Sequence, residues 1–182
     1  MIKNFGNLEF VSAAEKLDLL AKPVADLIIN LPNSENILVS EIDPALSDTA
    51  AFCKRYNIGM DLSANCVVLE VKRGERTWFA ACVILASTRA DVNGLVRRTL
   101  DARRASFAPM DQAVAQSTME YGAITPIGLP KEWTILVDKA VTELEYVIIG
   151  SGLRKSKILI PGKSFASLSN VQILENLGLK KE

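Results

Sequence analysis

The stretch Cys66–Ala86, CVVLEV–KRGER–TWFAACVILA, limits what this chain can fold into more than any other. Two β-rich arms flank a short polar connection that carries one glycine, Gly74, which is the signature of a β-hairpin. The second arm, from Thr77 onward, is apolar at odd and even positions alike. Side chains alternate between the two faces of a strand, so an arm of this kind must be covered on both sides. A central buried strand is expected here, and the rest of the chain has to supply its cover.

The surrounding segments alternate without a strict βαβ repeat. Ser12 followed by Glu15 has capping-box spacing. Leu17, Leu20, Val24, Leu27 and Leu31 keep helical spacing, with Pro23 among them. Two short helices are expected, the second with Pro23 in its first turn. Asn36–Ile42 reads as a strand, and Ser47–Asn57 as a helix capped by Ser47 or Asp48. A helix is expected from Asp91 to Leu100, a weak strand over Ala105–Ala108, and a helix over Asp111–Met119. Three β-rich runs follow, Thr134–Asp138, Tyr146–Gly150 and Lys157–Ile160, before Ser164–Ser169 and Val171–Leu179 close the chain. The pattern predicts a single α/β domain of α+β type, a mixed sheet surrounded by helices and not a doubly wound one. A length of 182 residues with 49% hydrophobic content suits one core.

Composition removes several chemistries. The chain has no histidine, which excludes Ser-His-Asp and Cys-His nucleophiles, histidine general bases and histidine metal sites. Its three cysteines, Cys53, Cys66 and Cys82, form no CxxC pair. Neither a disulfide framework nor a metal site is expected, no cofactor is implied, and a reducing, cytoplasmic setting is expected. Each cysteine reads first as a small core hydrophobe. Basic and acidic residues balance at 21 each, so a basic DNA-binding surface is not expected. The N-terminal segment lacks the apolar core of a signal peptide, and no run is long enough for a membrane span.

Two glycine-containing loops are the candidate site. In Tyr121–Pro130, YGAITPIGLP, Pro126 and Pro130 rule out a regular helix, and the apolar content is high for a solvated turn. Gly122 can bring its backbone N–H close to a ligand. The loop is either a wall of amides facing a carbonyl or oxyanion, or a stiff crossover into the Thr134 strand. Gly150–Lys157, GSGLRKSK, ends an apolar strand with a GxG too short to count as a phosphate-binding fingerprint. Arg154, Lys155 and Lys157 suit a phosphate or nucleotide end; a tight turn with a solvated basic tip is the alternative. Arg97, Arg98, Arg103 and Arg104 join Lys72, Arg73 and Arg76 only if helix and hairpin meet, and otherwise form a solvated face.

These elements together, YGAITPIGLP, the TILVD strand, YVIIGSGLRKSKI and the segment Asp48–Ala86, resemble the YbaK/ProRS-editing family, the prolyl-tRNA synthetase-associated editing domain. The resemblance covers about Glu35–Leu168. It implies a mixed, partly closed sheet surrounded by helices over residues 35–182, preceded by an N-terminal helical extension over 1–34. It also implies hydrolysis of the ester of a mischarged small amino acid on the acceptor end of tRNA, in trans, with an aminoacyl-tRNA synthetase as a further partner. Near-isosteric small amino acids cannot be rejected by binding alone, so such a second sieve has a physical reason.

The family's GxxxP loop corresponds to Gly122 and Pro126, which makes Ala123, Ile124, Thr125 and Pro126, with Gly150, Ser151, Gly152 and Cys66, the implied substrate-binding residues. The lysine that the family carries at the start of the first hairpin strand is replaced here by Asn65 or Cys66. Where the family has an acidic residue after the glycine turn, this chain has Lys157. Gly122, Lys157 and Asn65 are the implied catalytic set, with the ammonium entering one pocket from its opposite side. The same two departures also fit a binding module of this fold that docks a tRNA 3′ end, a nucleotide or a synthetase without turnover. A third reading is a hydrolase of another small ester or amide.

Overall fold

The computed structural model describes residues 2–181. The chain begins with strands β1 (Ile2–Phe5) and β2 (Leu8–Ser12), then two 3₁₀ turns and helix α1 (Lys22–Ile28). Strand β3 (Leu38–Glu41) and helix α2 (Thr49–Tyr56) precede the hairpin of β4 (Ala64–Arg73) and β5 (Arg76–Leu85). Next come β6 (Thr88–Ala90), a π-turn running into the short helix α3 (Arg97–Thr99), β7 (Arg104–Phe107) and α4 (Met110–Ser117). The last part holds β8 (Thr134–Asp138), α5 (Lys139–Thr142), β9 (Val147–Gly150), β10 (Ser156–Ile160), β11 (Val171–Leu174) and β12 (Gly178–Lys180).

Two five-stranded sheets result, in the orders β1-β2-β3-β10-β9 and β11-β8-β5-β4-β7, with β12 and β6 as a small separate pair. All strand pairs are antiparallel except β11–β8 and β5–β8. Among the described residues the sheets meet at the bridge Ser63–Ile148, reinforced by the Ile148 N–H donating to the Leu62 carbonyl at 2.9 Å. The hairpin is tighter than its polar connection implies. Arg73 still pairs with Arg76, which leaves a two-residue turn whose Gly74 has φ +59°, a conformation that glycine adopts without a Cβ penalty.

Strand β5 meets the requirement read from its sequence. Ala81 and Val83 point into the main core with Val39, Ile149, Ile158 and Val24. Ala80, Cys82 and Ile84 point the other way, against Leu69, Leu136, Val96 and Leu177. The outer face of the first sheet, Phe10, Leu38, Ile148 and Leu159, packs on Phe52 and Cys53 of α2. Helix α2 begins where Asp48 accepts from the Ala50 and Ala51 N–H groups at 3.0 and 3.1 Å and ends at Asn57 in the left-handed region, a start and a stop of standard kind.

Three sequence expectations need revision. No regular helix starts at Ser12: that residue ends β2, and its hydroxyl caps nothing. The preceding Ile2–Val11 pairs as a hairpin, so the Ser-x-x-Glu spacing decorates only a 3₁₀ turn. Asp91 does cap, accepting from the Gly94 and Leu95 N–H groups, but Gly94 beside the β-branched Val92 and Val96 gives a wide turn in place of a long helix. The extension over residues 1–34 is not purely helical: strands β1 and β2 open it, ahead of the 3₁₀ turns and α1.

Candidate functional site

The loop Tyr121–Pro130 is largely internal. Ala123, Ile127 and Leu129 are buried with Thr125, and only Tyr121 and Gly122 lie open to solvent. Of three backbone bonds at its start, one closes its own turn and two strap it to the Gly150–Arg154 turn. Ala123 N–H donates to Glu120 O at 3.0 Å, Gly152 N–H to Ala123 O at 2.8 Å, and Glu120 N–H to Gly152 O at 2.8 Å. Gly150 lies under this strap. A Cβ there would fall 3.0 Å from the Ala123 carbonyl carbon, 3.1 Å from the Ile124 oxygen, and closer still to the Ala123 oxygen. Two loops distant in sequence therefore form one wall.

The wall borders a cavity of about 690 Å³, within the usual range for small-molecule sites. The start of α2 supplies Ser47, Asp48 and Thr49, β4 supplies Ala64, Asn65, Cys66 and Val68, and the two loops supply Gly122, Ile124, Gly150 and Arg154. Lys157 enters from β10, where it pairs with Gly150. Its ammonium donates to the Ser47 carbonyl at 3.0 Å and sits 5.2 Å above the Phe52 ring. Lys157 is 6% exposed, and this burial pushes its pKa down to about 8, helped by the Arg154 charge and opposed by Cys53 and Asp48.

Charge is concentrated here. Among the described residues Arg154, Lys157 and Lys181 are the lining cations and Asp48 the lining carboxylate, three minus one, a net charge of +2 on the wall of a chain whose total is zero. Asp48 is already engaged with helix amides. Arg154 spans the mouth, donating to Tyr121 O at 3.3 Å and Pro44 O at 3.1 Å, while Lys181 donates to Ala86 O at 2.7 Å. Gly122 and Ile124 line the cavity, and no protein group among the described residues accepts from either N–H. Asn65 accepts from the Thr49 hydroxyl at 2.7 Å, which leaves its NH₂ to donate.

Of the residues read from sequence, Asn65, Cys66, Gly122, Ile124, Gly150 and Lys157 share this cavity. Ala123, Thr125, Pro126, Ser151 and Gly152 do not line it; they lie behind the wall and hold it. Ser151 is fully buried, its hydroxyl 2.7 Å from that of Ser156. The solvated reading of Lys157 does not hold. The basic cluster does form in part, because Arg103 N–H donates to Lys72 O at 2.9 Å and Arg104 pairs with Lys72. Sequence reading passed over Lys181 and the exposed Phe107 and Met110, which also line the cavity, and gave no role to the exposed Tyr121 that opens the candidate loop. Phe107 and Met110 flank Pro109, an apolar cluster at a strand-to-helix junction, and that was the available signal.

The cysteines are not poised as nucleophiles. Burial, with Cys82 nearby, drives the Cys66 thiol far up, and burial pushes Cys82 up to about 12. Cys53 is raised by burial too, with Ser63 Oγ 3.4 Å from its sulfur. Among the described residues no three His, Cys, Asp or Glu side chains gather into a metal site, and no helix is long and apolar enough to cross a membrane.

Comparison with known proteins is consistent with this geometry. No curated protein matches the sequence. A candidate trans-editing enzyme for prolyl-tRNA synthetase superposes with a TM-score of 0.72 at 14% identity, over 89% of this chain and 97% of that one. A hypothetical protein of known structure gives 0.75 at 13% identity, over 87% and 100%. A candidate signal transduction protein from Marinobacter aquaeolei VT8 gives 0.59 at 15% identity, over 87% of this chain and 30% of that larger one. At these identities the likeness is one of fold. The sequence itself matches the family model described as the aminoacyl-tRNA editing domain over residues 43–168, a span that contains both glycine loops, α2, the central hairpin and Lys157. That match covers well over half of the chain, which therefore belongs to the aminoacyl-tRNA editing domain family, the YbaK family.

Proposed function

We propose that this chain is a trans-editing aminoacyl-tRNA deacylase that hydrolyses the ester of a mischarged small amino acid at the tRNA 3′ end. The observation that carries the reading is the pairing of an apolar floor with a net cationic wall in one cavity of a neutral protein. Ala64, Cys66, Val68 and Ile124 offer room for a small apolar side chain. Arg154, Lys157 and Lys181 offer charge for the terminal phosphate. We assign the editing unit to residues 35–182 and treat residues 1–34 as an addition to it, the part of the chain whose β1 and β2 extend the first sheet.

The chemistry needs little from the protein, since an aminoacyl ester is already activated. Water attacks the ester carbonyl, the carbonyl π electrons move onto oxygen, and collapse expels the ribose oxygen, which takes up a proton. The Gly122 and Ile124 N–H groups are the donors proposed for the oxyanion, a role worth about 3–4 kcal/mol per donor in other enzymes. The Lys157 ammonium adds positive charge on the same side, the Asn65 NH₂ orients the ester, and the vicinal ribose hydroxyl positions the water. A second reading, a binding module without turnover, has one observation in its favour: Asn65 stands in the first-strand region where the family carries lysine. Purified protein assayed against tRNAs mischarged with Ala, Ser, Cys or Pro separates the two. Hydrolysis of at least one supports the deacylase; binding of all with hydrolysis of none replaces it by the module.

Two further results are expected. Gly122→Val should lower turnover about tenfold in a folded protein. Gly122 has φ +78°, where a β-branched residue is strained, and its Cβ would project toward Arg154 and Ser47, with 3.4 and 3.7 Å to the nearest atoms. Wild-type turnover in a folded variant would reduce the loop to a connector. Chelation with EDTA and Cys66→Ser should each leave more than half the activity, because a thiol raised so far is almost never the thiolate that attacks. Loss of activity in Cys66→Ser alone would make that sulfur the nucleophile.

A further inference from the structure

The described residues expose seven large apolar side chains, and three of them, Phe107 (71%), Tyr121 (61%) and Met110 (55%), lie on the rim of the cavity. Single exposed apolar residues need no explanation, but a group gathered at one mouth does. Their backbones are fixed. Ala108 N–H donates to Val68 O at 3.0 Å, Arg154 holds the Tyr121 carbonyl, and the Pro109 carbonyl at the start of α4 accepts from Ala113 N–H at 2.9 Å. The side chains themselves stay in solvent. Phe107 and Met110 come from the β7–α4 junction and Tyr121 from the segment after α4, so the rim is built from the two ends of one helix.

A ligand suited to this mouth carries flat apolar faces for the rim and negative charge for the +2 wall directly inside it. An unpaired nucleic acid strand has both, since every base has a π-face and each linkage a charge, and proteins bind such strands by stacking them on aromatic side chains beside cationic grooves. Resting on the deacylase reading for what lies inside the cavity, we infer that Phe107, Tyr121 and Met110 form a stacking clamp for the unpaired nucleotides that precede the terminal one. Stacking needs no particular base, so the clamp selects for a single-stranded 3′ end and against a blunt duplex. The terminal nucleotide then enters past Arg154, and the amino acid reaches Gly122.

The test is equilibrium binding of a fluorescent, uncharged RNA hairpin, with a short single-stranded 3′ overhang or blunt-ended, followed by anisotropy. Phe107→Ala and Tyr121→Ala should each weaken overhang binding about tenfold, the scale of losing one stacked base. Phe107→Trp should restore it, and the blunt hairpin should bind weakly and equally to all four proteins. The mutated side chains lie largely in solvent, so unchanged circular dichroism and melting are expected and checked. Equal binding of the overhang by wild type and both alanine variants overturns the clamp, as does no overhang binding by the wild type. A wild-type dimer in sedimentation that Phe107→Ala dissolves also overturns it, and makes the rim a contact between copies of this chain. Clamp-dependent binding without hydrolysis of any mischarged tRNA keeps this inference and removes the deacylase. Hydrolysis with an unchanged KM in Phe107→Ala keeps the deacylase and removes the clamp.

Discussion

Replacing Lys157 by methionine is expected to reduce deacylation about 10²-fold, a barrier change of about 2.7 kcal/mol, and to leave the protein at least as stable at pH 7. The two halves have one cause. Burial lowers the Lys157 pKa from 10.5 to about 8, so at neutral pH the fold carries a charge that the unfolded chain holds more comfortably. The shift corresponds to about 3 kcal/mol at full extent, partly offset by the bond to Ser47 O. The folded pKa is the lower one, so between pH 8 and 10.5 the unfolded chain binds more protons and stability rises with pH. Methionine removes the charge and fills a similar volume.

Its stabilising effect should therefore be present at pH 7 and fade toward pH 10.5, measured as the difference between the two proteins in urea. Catalysis should show the same group. Wild-type kcat/KM should fall as pH rises through about 8, and Lys157→Met should lack that limb. A loss below tenfold, or one matched by Lys155→Ala, would return Lys157 to a structural role and shift the chemistry to Asn65 and the substrate's hydroxyl.

Gly150→Ala is expected to lower stability by about 2–3 kcal/mol, within the usual range for overpacking, and activity by more than tenfold. One methyl group meets the Ala123 carbonyl at less than contact distance. That carbonyl cannot turn away cheaply, because it accepts from Gly152 N–H at 2.8 Å. The strap must lengthen, which carries Gly122 and Ile124 off their positions, and the methyl group also stands beside Lys157 on the same strand pair. Denaturant midpoint and single-turnover rate on one preparation check both parts. Wild-type values for both would show that the two loops are not rigidly coupled.

How much of this was legible in the sequence depended on the range of the interactions. The central hairpin was legible because its apolar pattern is local and leaves one arrangement for β5. Asp48 was legible as a helix start for the same reason. The N-terminal hairpin was not, since Ser12 and Glu15 have the spacing of a cap while the partner strand that claims Ser12, β3, lies 26 residues on, with Ser12 opposite Leu38. Both glycine loops could be singled out, but not that Gly150 is seated beneath Ala123. Lys181 gave no local sign at all, as its acceptor is 95 residues away. Lys157 is the instructive case: the residue type argued for solvent, and only the strand pairing that places it beside a glycine and beneath Ser47 shows why a lysine can be interior.

The seam between the two sheets gives the cavity a thermodynamic role as well as a chemical one. The bridge at Ser63–Ile148 ties the backbones of the two sheets at one point beside the core they share, and the cavity lies across it, with Asn65 and Cys66 on one sheet and Gly150 and Lys157 on the other. Any molecule that fills it acts as a non-covalent rivet. The tighter it binds, the more of the free energy of parting the sheets it supplies, growing as RT ln(1 + [L]/Kd). Melting temperature then reports occupancy directly, including for substrate fragments that the protein holds but cannot cleave.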